Sequence, residues 1–436
     1  MINRMFLAGI SITLLAVAGC TSAPRNAPRG MGTSVHATST EDGKLAGFTQ
    51  AELLKEYRGY LFDDFLPSMD KYVIDHEYGG FMCNTDACGR NITTDKSLWY
   101  IGRGLWVYSF LYNRLDKNPK YLEVARKCVE FLWKNRPRDD IRWPSTFKRD
   151  GTIIEGPYSE IYGDLFLANG LAEYSKAAKD DLYWYMAKDI LLKCLRIYDG
   201  ENYRSSEKGI KAARINGQWM VILHLATQLL EYKEDAELEV VAGRAVDAIM
   251  NYHYNPSFGL INEELNHDLS RPEGPVSQFV YLGHDIEVLW MVMAEATRKH
   301  DEKLFDLAAE RFKRHVEVAW DDVYGGVFCS LEDVDKNIWG NPQKALWAQE
   351  EVLIGMMMII ERRGYPWAQD WFGKVYRYVV ENYPLAKHGY ESSFWICYAD
   401  RKVAFKKEDF TRVENYHHPR HLMLNILSLE RMLEKR

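Results

Sequence analysis

The stretch GHDIEVLW spaces His284, Glu287 and Trp290 three residues apart. On a helix that spacing puts all three on one face. The flanking VSQFVYL and MVMAEATRKH have the apolar content of a mostly buried helix, so an imidazole, a carboxylate and an indole face a common neighbour. An imidazole titrates near neutrality and can take or return a proton, and a carboxylate beside it can fix its tautomer. Three further segments put polar groups where a buried helix would carry apolar ones. DKSLWYIGRGLWVYSFLY sets Trp99, Arg103 and Trp106 near one face, GPYSEIYGDLF sets Glu160 between Tyr158 and Tyr162, and KALWAQEEVLIGMMM brings Trp347, Gln349 and Glu351 together. In NYHHPRHLM, Pro419 suits the first turn of a helix, which places His417 and His418 at its entrance.

Collecting such groups around one centre requires elements that converge. Apolar residues recur with the helical period over 48–68, 95–115, 118–135, 158–177, 181–197, 212–231, 236–252, 276–299, 302–319, 343–363, 367–383 and 418–434. Long runs with strand alternation are absent. Gly/aromatic punctuations recur between helix pairs: HEYGGFMC (76–83), NPSFGLINEE (255–264), DDVYGGVFCS (321–330) and KHGYESSFWI (387–396), with weaker ones near DDIRWP (139–144) and YDGENY (198–203). Their spacing of roughly sixty residues is the kind of period that marks repeated supersecondary units. Six helical hairpins closed in a circle give an all-α (α/α)6 barrel with short β-hairpin loops. An open solenoid of helix pairs is the structural alternative, but it gives no reason to collect chemistry from distant segments.

Composition narrows the function classes. A net charge of −7 without a basic stripe argues against a nucleic-acid binder that relies on phosphate attraction. Thirteen Trp and 27 Tyr exceed what a core needs and favour carbohydrate, whose axial C–H groups stack on aromatic faces. No zinc-type spacing and no phosphate-cradling glycine loop appear. Six cysteines follow Cys20, and only Cys83 and Cys88 are close enough in sequence to cross-link a short hairpin.

The N-terminus reads as an address. Arg4, an apolar run from Met5 to Val17 and Val-Ala-Gly-Cys20 have the form of a signal segment too short to span a bilayer. Cys20 after small residues resembles the bacterial lipoprotein box, which implies that 1–20 is a lipoprotein signal segment cleaved before Cys20, that Cys20 is acylated as the new N-terminus, and that the membrane anchor faces the periplasm. Residues 21–46 are rich in Pro, Ser, Thr and Gly and read as a flexible tether, leaving 47–436 for the barrel.

Four motifs in register, GGF…KxxWxxGRxxW, GHxxExxW, KxxWxQxE and HxPR, resemble those of the N-acylglucosamine 2-epimerase family over nearly all of 48–434. The resemblance implies an (α/α)6 barrel with a funnel-shaped pocket at one end. It implies epimerisation or isomerisation of a free-reducing sugar, with no metal and no redox cofactor. It maps two proton-transferring bases to His284 and His417, with His418 the rival for the second, and a cation beside the developing enediolate to Arg103. Glu287 and Glu351 fall at acidic positions that orient the histidines or bind hydroxyls. Trp99 and Trp347 would wall the pocket, with Glu160, Gln349 and Arg420 as further substrate contacts. Each has a plainer alternative: a core histidine satisfied by Glu287, an Arg103 paired with Glu351 or Glu160, and indoles that only pack. His224, on an inner helix, is a third histidine that the pocket or the core could claim. YSE at 158–160 resembles the acylglucosamine branch more than the cellobiose branch. The expectation is a 2-epimerase interconverting N-acetylglucosamine and N-acetylmannosamine. Its rivals are cellobiose-type epimerisation, mannose–fructose isomerisation, a glycan hydrolase or lyase on the same toroid, and an inactive sugar-binding lipoprotein. A homodimer is one assembly that the sequence allows without choosing it.

Overall fold

Two kinds of helix alternate along the chain, and their sequences say which side of each is wet. In the computed structural model, residues 44–86, 89–137, 142–203, 208–336, 338–339, 344–390, 392–395, 398–399 and 413–435 are described. The helices are α1 (Gln50–Arg58), α2 (Leu66–Tyr72), α3 (Leu98–Phe110), α4 (Pro119–Lys134), α5 (Tyr162–Ala178), α6 (Asp181–Asp199), α7 (Asn216–Leu230), α8 (Ala236–Asp247), α9 (Leu282–Arg298), α10 (Glu302–Ala319), α11 (Leu346–Arg363), α12 (Pro366–Asn382) and α13 (His417–Glu434). A π-helical segment, Gly59–Phe65, joins α1 to α2 into one rod.

The outer helices bury one stripe. In α10 the buried residues Phe305, Ala308, Ala309, Phe312, His315, Val316 and Ala319 follow the three-and-four spacing of an amphipathic helix. Helices α3, α5, α7, α9, α11 and α13 are buried almost all round, as helices inside a ring must be. Each of these six packs on the next in order, and α13 meets the π-helical end of α3, Leu111–Leu115, which closes the circle. This is the expected (α/α)6 barrel, and the described residues fall within one unit, Thr40–Arg436. No helix among them is long and apolar enough to cross a membrane.

The strands are two or three residues long and serve as hinges into the inner helices. Lys96–Ser97, Arg214–Ile215 and Lys344–Ala345 each pair antiparallel with a neighbouring segment immediately before α3, α7 and α11. The four Gly/aromatic punctuations close hairpins through Ile74 with Phe81, Tyr254 with Ile261, Trp320 with Val327, and Pro384 with Trp395. These pairings explain why α3, α7 and α11 start later than the apolar period suggests. Helix α9 starts at Leu282 rather than 276 because Gly274–Gln278 forms a separate 3-10 turn. The expected signal segment, with Cys20, and the expected tether up to residue 43 lie outside the described residues, whereas 44–46, expected as the end of the tether, are described, and Leu45 is buried and bridged to Phe48. Cys88 also lies outside the described residues, while Cys83 is buried.

Candidate active site

A cavity of about 280 Å³ opens between the entrances of the inner helices, lined by Trp99, Arg103, Glu287, His284, Trp347 and His417 together with residues of α5, α7 and the segments that lead into α7 and α9. Six sequence-derived positions thus meet in one hollow. Helix α9 supplies His284 and Glu287, helix α3 Trp99 and Arg103, helix α11 Trp347, and the first residue of α13 is His417.

His284 is held by a residue that the sequence reading missed. Its Nδ1 lies 2.9 Å from Glu263 Oε1, and the same oxygen accepts from the Gly217 N–H at 3.3 Å. A carboxylate partner makes Nδ1 the donor, which leaves the basic lone pair on Nε2. Close approach here depends on a glycine: a Cβ on Gly217 would sit 2.7 Å from His284 Nδ1. Glu263 comes from the hairpin after Ile261, so no helical period points to it. The signal was the EE pair that ends the 255–264 punctuation, an acidic doublet that the fold buries.

His417 sits deeper. Its Nδ1 lies 2.8 Å from Glu351 Oε1 and 3.1 Å from Arg420 Nη2. The two protons on Arg420 Nη2 are directed to carboxylates, Glu287 at 2.5 Å and Glu351 at 2.7 Å, so His417 keeps its own Nδ1 proton and donates it to Glu351. Burial pushes the His417 imidazole down to about 3, which holds it neutral, the form a base needs. Trp290 Nε1 donates to the other Glu351 oxygen at 2.7 Å. The stripe on α9 is therefore graded by depth: His284 and Glu287 line the cavity, and Trp290 braces the carboxylate behind it.

Arg103 is buried with its guanidinium over the rings of Phe166 at 4.2 Å, Trp99 at 5.0 Å and Tyr416 at 5.0 Å. Glu414 Oε1 is 3.9 Å away. A planar cation fixed among aromatic faces is preorganised for a developing negative charge. The Trp347 ring contacts both imidazoles, 5.9 Å from His284 and 5.4 Å from His417. Its approach needs Gly283, where a Cβ would meet the indole at 2.4 Å.

Four expected contacts stand off the cavity. Glu351 and Arg420 lie behind it as the His417 support. Gln349 is fully buried, and its amide bonds both backbone groups of Val327 and the Ala345 carbonyl. Glu160 accepts from the Tyr162 N–H at 2.5 Å and caps the start of α5. Tyr162, which the sequence placed only as a flank of Glu160, also lines the cavity, as do Phe166, Tyr281, Met220 and Glu264, which spacing did not single out. Trp106 and His224 line a second hollow of about 470 Å³ at the far end of the inner helices. Glu287, Glu351 and His417 have metal-ligand geometry, but the Arg420 guanidinium already occupies the space among their donor atoms.

Residues 79–419 match the family described as N-acylglucosamine 2-epimerase (GlcNAc 2-epimerase). The N-acylglucosamine 2-epimerase of Mus musculus is 24% identical over 331 residues, covering 72% of this chain and 78% of that one. The cellobiose 2-epimerase of Dictyoglomus turgidum is 24% identical over 288 residues, covering 60% and 69%. The solved cellobiose 2-epimerase of Bacillus thermoamylovorans superposes with a TM-score of 0.75 at 17% identity, covering 86% of this chain and 99% of that one. With the family matched over most of its length, the chain belongs to the N-acylglucosamine 2-epimerase family and is a carbohydrate epimerase or isomerase.

Proposed function

We propose that this protein interconverts N-acetylglucosamine and N-acetylmannosamine, or a close relative of that pair, by two-base proton transfer at C2. The observation that carries the reading is the pair of imidazoles, His284 and His417, in one cavity with each Nδ1 on its own carboxylate. One imidazole takes the proton from C2, and the C–H electron pair moves into an enediolate whose oxygen faces Arg103. The other imidazole, which enters the step protonated on Nε2, gives that proton to the opposite face of C2, and exchange with solvent resets the pair, so atoms and charge balance over the cycle. A cavity of about 280 Å³ is at the small end of ligand sites, which favours a monosaccharide over a disaccharide. The curated mammalian relative and the YSE at 158–160 favour the same choice.

Proton NMR of candidate free sugars with purified protein in heavy water tests this. Deuterium should appear at C2 of N-acetylglucosamine. Exchange only with cellobiose or mannose would move the substrate within the family, and new reducing ends from an oligosaccharide would indicate a hydrolase instead. His284→Asn and His417→Asn should each lose turnover by at least ~10²-fold, and near-normal rates in both would end the two-base account. Loss confined to His418→Asn would shift the second base by one residue.

The address signals support a second part of the proposal, that the mature chain begins at an acylated Cys20 and is tethered on the periplasmic side of a membrane through 21–46. Cys20→Ser, fractionated from its native type of host, should leave the membrane or remain as precursor. Recovery of the natural chain from cytosol with Met1 intact would refute it.

A further inference from the structure

Behind the sugar cavity lies a second buried cluster that the proposed reaction does not use. Glu350 on α11 faces His418 and His421 on α13, and all three residues are at most 3% exposed. His418 Nδ1 is 2.5 Å from Glu350 Oε1, and His421 Nδ1 is 3.6 Å from the same oxygen. Two atoms at this spot, Glu350 Oε2 and His421 Nδ1, have no hydrogen-bond partner. A buried polar atom without a partner costs about 1–3 kcal/mol, more when charged, so two at one point mark something that completes them.

The contrast with the neighbouring residues sharpens this. Glu351, the next residue on α11, is neutralised by the Arg420 guanidinium. Among the described residues, Glu350 has no arginine or lysine on it: His421 faces it, and the further charges near it, Glu414 and Glu351, are negative. The helical register of α13 produces the difference: Arg420 points one way, while His418 and His421, three residues apart, point the other.

We propose that Glu350, His418 and His421 form a structural zinc site that pins the entrance of α13 to α11. The three donor atoms lie within 4.8 Å of one another. Two imidazole nitrogens and one carboxylate oxygen suit zinc better than calcium or magnesium, which prefer all-oxygen shells. Three protein ligands leave one tetrahedral position for water. His421 Nε2 is 2.9 Å from the Tyr57 hydroxyl, which accepts from Asn425 Nδ2 at 3.1 Å. Zinc on Nδ1 would fix the remaining ring proton on Nε2, toward the Tyr57 oxygen, the outer-shell arrangement that zinc-bound histidines use. The rings of Trp395 and Phe65 close over His418 at 4.6 and 5.4 Å. Binding displaces the proton that His418 and Glu350 share, so it releases acid. The site is independent of which sugar the front cavity takes.

The test uses the untagged full chain, loaded with zinc chloride and dialysed at neutral pH. One equivalent of zinc per chain should remain by elemental analysis, and a strong chelator should lower the melting temperature. Cobalt(II) substituted into the natural protein should show the intense visible bands of a tetrahedral site, a readout that needs no variant to fold. Glu350→Gln and His421→Ala should weaken zinc binding by more than the ~10–100-fold that losing an outer-shell partner costs. His417→Asn should retain zinc, which locates the ion behind the sugar cavity. The proposal falls if the natural chain keeps no zinc and gives no cobalt bands. It also falls if zinc survives in both Glu350→Gln and His421→Ala, or is lost in His417→Asn alone.

Discussion

The turn leading into α3 and the turn leading into α11 are laid out alike. In the first, Asp75 accepts from the Glu77 and Tyr78 N–H groups, and buried Lys96 reaches Asp75 at 2.8 Å and the Gly79 carbonyl at 2.7 Å. In the second, Asp321 accepts from the Val323 and Tyr324 N–H groups, and buried Lys344 reaches Asp321 at 2.7 Å and the Gly325 carbonyl. Three residues after each lysine stands a tryptophan of the cavity wall, Trp99 or Trp347. Seven residues after it the copies diverge: one presents Arg103, the other Glu351. The same support thus delivers a cation to the cavity wall and a carboxylate to His417 from behind it. What holds the helix and what the helix carries are separable. A second difference lies in the support itself, because Asp75 also pairs with Arg149 at 3.0 Å.

The largest effect should come from breaking the support that has less cover. Lys344→Met strips the lysine from a buried Asp321, and loss of one partner of such a pair typically costs about 3–5 kcal/mol. Chemical denaturation measures it. A cost below 1 kcal/mol would mean that water replaces the lysine.

Next is the payload of the first copy. Arg103→Met should lower kcat by about 10²-fold, or about 2.7 kcal/mol at the transition state, while KM and melting change little. If Arg103 instead serves the fold, melting drops and kcat of the surviving protein holds.

Lys96→Met sharpens the contrast between supports. Arg149 stays on Asp75, so the expected loss is nearer that of one charge-assisted hydrogen bond, about 1.5–3 kcal/mol. Equal costs for Lys96→Met and Lys344→Met would remove the distinction.

The smallest effect is in acid. Burial alone would raise the Asp75 carboxyl, but hydrogen bonds from Arg149 and Lys96 outweigh it and hold it at about 2, against an ordinary 3.8. A depressed carboxyl stabilises the fold above its unfolded value, and the contribution is lost as pH falls from 3.8 through about 2. Asp75→Asn should flatten the stability curve in that window, read by acid denaturation. An unchanged curve would say that Asp75 is not depressed.

The ring was legible because its code is local. The period of apolar residues marks each helix, and glycine doublets such as Gly79–Gly80 and Gly325–Gly326 mark hairpins, since both positions need positive φ, between 78° and 82° here. Helix starts were less legible: Lys344 and Ala345 fit the period but are claimed by a pairing with Tyr398 and Ala399 far along the chain. In the site, His284, His417, Arg103, Glu287, Trp99 and Trp347 were spaced so that helices alone bring them together. Glu263 was not, because a hairpin between α8 and α9 delivers it. Gln349 shows the converse, a position that a motif makes conspicuous and that closes backbone hydrogen bonds.

The two imidazoles sit in unlike settings. His284 is 25% exposed and leans on a hairpin, whereas His417 is 7% exposed and leans on a helix. For a protein that runs one reaction in both directions, this asymmetry meets a thermodynamic limit. The ratio of the two epimers at equilibrium belongs to the sugars, and no arrangement of side chains shifts it. Under the proposed two-base reaction, any advantage that the buried imidazole gives one direction must return as a difference in how tightly the two epimers saturate the site. The catalyst can be lopsided only in its Michaelis constants and turnover numbers taken separately, never in their combined ratio.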